Sequence, residues 1–234
     1  MTAKEILAEI RPLGKESYKN TLLNHGITGP CYGVKIEDLK KIQKRIKMDY
    51  QLALDLFDTG VYDAMYLAGL IADDARMTKK DLQKWVEKAF GPISEYTVPW
   101  VASGSKHGRE LALEWIESKK ENTAAAGWAT LAGLVSMKND SELDLAEIKK
   151  LLQRVEKTIH QQPNRVRYVM NSFVIAVGCA VKPLSDTAMK TAKKIGPVSV
   201  DMGDTACKVP YAPEYIQKVI DRGTIGQKRK TVKC

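Results

Sequence analysis

Cysteine and histidine are scarce in this chain. Its 234 residues hold four cysteines, Cys31, Cys179, Cys207 and Cys234, and three histidines, His25, His107 and His160. None of them forms a Cys-x-x-Cys pair or a His cluster, so the closely spaced ligands that mark zinc sites and redox centres are missing. The thiols read as buried or incidental groups of a reducing compartment, and neither a metal nor a cofactor is expected. Long hydrophobic runs are missing as well. No apolar stretch approaches the roughly 20 residues that span a bilayer, and the opening MTAKEILAEIRPLG reads as an amphipathic, charged helix start rather than a secretory signal. A soluble, cytoplasmic protein without a membrane partner is therefore expected. Period-two alternation bounded by hairpin turns is absent too, which argues against a sheet architecture.

What is present is an ordinary globular composition, with 44% apolar and 28% charged residues. That excludes wholesale disorder, which needs low hydrophobicity and high net charge. The length suits one large domain or two small ones. Lys and Arg number 37 against 28 Asp and Glu, a net charge of +9. Five of the bases, Arg222, Lys228, Arg229, Lys230 and Lys233, lie in the stretch 222–234, which has no acid. A basic tail binds polyanions because each neutralised phosphate releases condensed counterions. The plainer alternative is a solvated tail that aids solubility. The expected organisation is one domain over 1–221 followed by a basic tail over 222–234.

The pattern is helical almost throughout. Val166, Val169, Met170, Phe173, Val177 and Ala180 repeat at three- and four-residue intervals and form one apolar stripe. Leu145, Ile148, Leu152 and Val155 do the same after Asp144, a candidate N-cap. Trp128, Leu131, Ala132 and Val135 do so one segment earlier, with Asn122 or Thr123 as candidate caps. Further helices are predicted at 3–12, 15–24, 36–47, 50–59, 61–73, 78–90, 94–103, 107–118, 184–195 and 211–221. Pro99 falls inside one of them and moves its true start toward Val98.

Breakers at Gly60, Gly91-Pro92, Gly104, Pro163, Pro183 and Gly196-Pro197 divide the chain into helix pairs of about 30–45 residues. Small residues recur in several second helices, as in AMYLAGLIA at 64–72, AAAGWATLAGLV at 124–135 and VIAVGCAV at 174–181. Small side chains let stacked helices approach closely. The expected fold is all-α, an α-solenoid of HEAT-like or armadillo-like repeats, with a compact orthogonal bundle as the alternative. Two stretches break the rhythm and must be loops: HGITGPCYGVK at 25–35 and GPVSVDMGDTACKVPYAP at 196–213.

A superhelical solenoid offers a concave face on which cations would suit a duplex backbone. Lys106-His107-Gly108-Arg109 and Asn164-Arg165-Val166-Arg167 place cations at helix starts, where unpaired backbone N–H groups also attract phosphate. Arg167 and Asn171 stand one turn apart beside the apolar stripe and can donate to phosphates. The plainer reading is that these arginines pair with acids on a solvated face.

The segments CYGVKIEDLKKIQKRIK at 31–47 and AMYLAGLIAD at 64–73, with the helix pairs beyond them, resemble the DNA alkylation repair family, the HEAT-like-repeat glycosylases of the AlkD type. The likeness covers roughly 15–195, and its most specific piece is the pattern of Gly33, Val34, Leu39 and Ile42. It implies binding of duplex DNA in a basic cleft by a monomer, with hydrolysis of the N-glycosidic bond of N3- or N7-alkylated purines. Such an enzyme needs a carboxylate beside the sugar to stabilise the oxocarbenium-like transition state, with aromatic rings around it. The family supplies these as an Asp one turn after a Trp, a second Trp on a later helix, and an Arg on the backbone. In this chain the first Trp falls on Glu95, the Asp on Pro99, the Arg on Trp128 and the later Trp on Ser172, and no Trp-x-x-x-Asp occurs anywhere.

Glu95 is therefore the candidate catalytic carboxylate. Lys106, Arg109, Trp128, Arg165, Arg167, Asn171 and Ser172 are the candidate DNA contacts. Tyr96 and Trp100 offer further rings near Glu95. The plainer readings make Trp128 a core residue in phase with Leu131 and Val135, Trp85 and Trp115 packing residues, and Glu95 a first-turn acid favoured by the helix dipole. Three functions follow: a glycosylase with a substituted site, a non-enzymatic relative that binds DNA structures, and a protein-interaction scaffold. DNA binding within the alkylation-repair family ranks first.

Overall fold

The computed structural model describes residues 1–234, and every regular element in it is a helix. Thirteen α-helices follow one another: α1 (Ala3–Ile10), α2 (Glu16–Asn24), α3 (Ile36–Ile46), α4 (Tyr50–Asp58), α5 (Tyr62–Ile71), α6 (Lys79–Lys88), α7 (Val98–Gly104), α8 (Gly108–Trp115), α9 (Glu121–Met137), α10 (Leu145–Thr158), α11 (Asn164–Ala180), α12 (Ser185–Ile195) and α13 (Ala212–Asp221). Each predicted helix is present, and most boundaries fall within one or two residues of expectation. The predicted loops are irregular over 25–35 and 196–211, and α13 takes in the last two residues, 212 and 213, of the second. No single helix is long and apolar enough to cross a membrane.

The chain forms two compact units: Met1–His107 with Gly203–Thr205 and Lys233–Cys234, and Gly108–Met202 with Ala206–Val232. The first is built around α5, all of whose residues from Tyr62 to Ile71 are buried, with α1, α3, α4 and α7 packed against it. An element enclosed on all sides needs apolar residues all round. Its one ionisable carboxylate, Asp63, is buried because it accepts from two backbone N–H groups of the 25–35 loop, Tyr32 at 2.6 Å and Val34 at 2.8 Å. The Gly33 between those donors has φ +76°, and a Cβ there would lie 2.6 Å from the Lys15 carbonyl oxygen. Val34, Leu39 and Ile42 are core residues. The most specific motif of the family resemblance is thus a loop anchor followed by a core stripe.

The second unit is centred on α11, which packs on α9, α10, α12 and α13. The predicted stripe of α11 is its buried face. The small residues act as expected: a Cβ on Gly127 of α9 would lie 2.8 Å from the backbone N of Ile116 and 2.9 Å from the Ala112 carbonyl oxygen. That is the contact between α9 and α8, and only hydrogen at that position allows it. Asp144 caps α10 by accepting from Glu147 N at 2.9 Å. By contrast α9 begins two residues earlier than Thr123 at Glu121, after Lys120, with no side-chain cap. The carboxylate of Glu121 instead accepts from Arg165 N at the start of α11, at 2.6 Å.

Candidate nucleic-acid interface

The segment on which Glu95 stands is not a plain α-helix. Ile93–Thr97 is a π-helical turn that runs into α7, and the Val98 N–H bonds back five residues to Ile93 O. Proline is the cause. Pro99 has no N–H to donate to Glu95 O, and in a regular α-helix its ring would strike that carbonyl. Widening the preceding turn by one residue relieves the clash, and α7 starts at Val98 as the proline requires.

The wide turn decides which side chains face inward. Glu95 is only 5% exposed and Ser94 and Thr97 are fully buried, whereas Tyr96 is 41% exposed and Trp100 is half-buried. Tyr96 and Trp100 stand four residues apart, with ring centroids at 6.4 Å. Behind them Tyr66 meets Trp100 edge-on at 5.4 Å and 83°, and Tyr62 lies 6.5 Å from Tyr66. Burial pushes both inner phenols well above the ordinary tyrosine range, and at Tyr66 a hydrogen bond with Cys234 adds to it. The rings are therefore neutral at any physiological pH.

The expected catalytic carboxylate, Glu95, is thus a buried side chain. What reaches the surface next to it in the chain is aromatic, at Tyr96. Trp128 is likewise a core side chain, 1% exposed, with Phe173 edge-on at 5.3 Å and Arg154 5.7 Å above its ring. Its phase with Leu131 and Val135 had the stronger claim, since a ring on the apolar stripe is buried by α11. Asn171 is also withdrawn from the surface: it is fully buried, and its amide donates to Pro210 O at 2.9 Å, holding the strand of chain that enters α13. Ser172 is half-buried and donates to Tyr168 O in its own helix.

The candidate cations divide. Lys106 is exposed. Arg109 is exposed but makes a two-pronged contact with Glu147, at 3.0 and 2.6 Å, with Asp144 3.8 Å away, so its charge is compensated in place. At the start of α11, Arg165 lies 4.8 Å over the Tyr168 ring, and its backbone N–H is taken by Glu121. Arg167 donates to Asn164 Oδ1 at 3.3 Å. Asn164 itself makes a reciprocal amide pair with the backbone of Asp201, at 2.8 and 2.7 Å, and so fastens the 196–202 segment to α11.

The C-terminal stretch also divides. Arg222, Arg229 and Lys230 are exposed. Lys228 is paired with Asp140 at 2.8 Å, and Lys233 with Asp74 at 2.7 Å. Burial raises the Asp74 carboxyl above its ordinary range, with Lys233 pulling the other way. Sequence reasoning missed Asp63 and the acid partners of these two lysines, because the interacting groups lie far apart along the chain. The i,i+4 spacing of Tyr96 and Trp100 was the one visible signal of a shared aromatic face.

Comparison with known proteins agrees with this architecture. A family model described as DNA alkylation repair enzyme matches residues 6–216. An uncharacterized protein of Listeria innocua is 32% identical over 228 residues, covering 95% of this chain and 99% of its own. One from Listeria monocytogenes is 33% identical over 228 residues with the same coverage. A solved structure, described as representing a new family of proteins related to the HEAT-like repeat DNA glycosylases with affinity for branched DNA structures, matches with a TM-score of 0.91 and 36% identity over the whole of both chains. The helical repeats, the match across nearly the full length and the shared fold lead to one assignment: the chain belongs to the DNA alkylation repair enzyme family.

Proposed function

We propose that this protein binds branched DNA and does not hydrolyse glycosidic bonds. The burial of Glu95 carries this reading. It is the one carboxylate in the stretch 89–105, where the resemblance puts the family's catalytic Asp. A glycosylase must bring a carboxylate against the deoxyribose to stabilise its developing positive charge. An acid only 5% exposed presents little of its charge to a bound sugar, and Pro99, where the Asp would stand, offers nothing in exchange. The affinity for branched DNA attributed to the similar solved structure, at 36% identity, supports the positive half of the reading. So do the net charge of +9 and the exposed Lys106, Arg222, Arg229 and Lys230.

Binding of a four-way junction and of a duplex of equal length is measured by fluorescence anisotropy at 50 and 200 mM salt. The junction is expected to bind more tightly, and both affinities to fall steeply with salt as counterion release requires. Incubation with methylated duplex, followed by chromatography, is expected to yield no 3-methyladenine or 7-methylguanine beyond the spontaneous rate. Released base above that rate, lost on Glu95→Gln, would overturn the non-catalytic half.

A further inference from the structure

We propose that Tyr96 and Trp100 form a platform that stacks on a nucleobase left without a neighbour at a DNA branch point. The proposal rests on the branched-DNA reading above and names the residues that tell a branch from continuous duplex. Trp85, Trp115 and Trp128 are each 1% exposed, so Trp100 is the one tryptophan that is not fully buried. Tyr96, one turn earlier, extends the same face. Two adjoining rings make a contiguous apolar face, and it is contiguous faces rather than single exposed residues that mark interaction sites.

The platform is held from behind. Tyr66 braces Trp100 edge-on, Tyr62 stands behind Tyr66, and both are buried, so the indole has little orientational freedom to lose on binding. The π-turn forced by Pro99 sends the charge inward and the rings outward. As a result, 89–105 displays no charged side chain at the surface, since its sole ionisable acid is the buried Glu95. No carboxylate there repels a sugar-phosphate chain, and the next residue, Lys106, is an exposed cation.

An uncharged aromatic face suits a nucleobase, and the exposed Lys106 of the same unit supplies a cation for phosphate. Stacking accepts any base, because every base has a π-face. Continuous duplex hides those faces in its own stack, whereas a branch point exposes them. The platform therefore adds affinity for the branch and nothing for the duplex.

The test follows tryptophan emission while a three-way junction carrying two unpaired thymines at the branch is titrated into the full-length protein. A fully paired duplex of equal length serves as the comparison. Wild-type emission is expected to fall with the junction and not with the duplex, because only Trp100 can stack. Trp100→Phe is expected to abolish the quenching while keeping much of the affinity. Tyr96→Ala and Trp100→Ala are each expected to weaken junction binding by roughly tenfold with duplex binding unchanged. Thermal melting checks that each variant folds, and Tyr96→Ala, at an exposed site, carries the test should Trp100→Ala unfold. A wild-type protein that prefers the junction, with variants that keep that preference or a Trp100→Phe protein that still quenches, overturns the stacking proposal alone. A wild-type protein with no junction preference overturns it together with the reading beneath it.

Discussion

Asp63 illustrates how one residue can carry a loop. Its two oxygens accept separate backbone N–H groups, from Tyr32 and Val34, inside an otherwise apolar helix. A buried donor left without a partner costs about 1–3 kcal/mol. Asp63→Ala removes both acceptors at once and is expected to lower stability by about 3 kcal/mol, read as a lower urea midpoint. Asp63→Asn keeps one acceptor and is expected to lose about half as much. The composition of α5 shows that it is buried, and a carboxylate on such a helix is an anomaly visible in the sequence. Its partners are not visible there, because they lie some thirty residues away in a loop with no regular pattern. The burial of Glu95 was hidden from the sequence for a related reason. Its orientation depends on a π-turn, and helical periodicity of 3.6 residues assigns the wrong face once a turn holds an extra residue.

At the scale of single elements, start signals and small residues were the legible part. Thr78 caps α6, and Asp81 closes the box by accepting from the Thr78 backbone and hydroxyl and from the Tyr50 hydroxyl. Partial burial works to raise the Asp81 carboxyl, but those bonds outweigh it and leave the value lowered. A carboxylate whose value is lower folded than unfolded adds stability above its unfolded value, near 3.9, and loses it as pH falls through the folded value. Asp81→Ala is therefore expected to cost about 1 kcal/mol at pH 7. That difference from wild type should shrink below about pH 4 in urea titrations, as the wild-type carboxylate itself protonates. Gly127 sets the spacing of α8 and α9. Gly127→Ala drives a methyl into backbone at Ile116 and Ala112, and the expected loss is about 1–3 kcal/mol, read as a lower melting temperature. Glycine amid alanines on a helix is a sequence-level sign of close approach. Which neighbour approaches is not.

For the molecule as a whole, the positive charge is unevenly available. Arg109, Lys228 and Lys233 are already engaged with acids, while Arg222, Arg229 and Lys230 stand exposed. The two groups should behave differently. Lys233→Ala leaves the Asp74 carboxyl, raised by burial, without its cation and is expected to cost about 1–3 kcal/mol of stability. Replacing Arg222, Arg229 and Lys230 together by Ala should leave the melting temperature nearly unchanged. It should flatten the slope of log affinity for DNA against log salt by up to about 3. A count of charges along 222–234 treats all five bases alike, because nothing nearby in the sequence announces Asp74 or Asp140 as partners.

The order and extent of the helices, the irregular loops at 25–35 and 196–211, and the all-helical class follow from the sequence, because apolar periodicity, caps and breakers act over a few residues. The family followed too, since Gly33, Val34, Leu39 and Ile42 form a local loop and stripe. Tertiary structure alone decided that Glu95 and Asn171 are buried, that Arg109 is neutralised, and that Tyr96 and Trp100 share a face. Whether a polar or aromatic side chain meets solvent depends on which distant helix covers it and which distant acid or carbonyl is in reach.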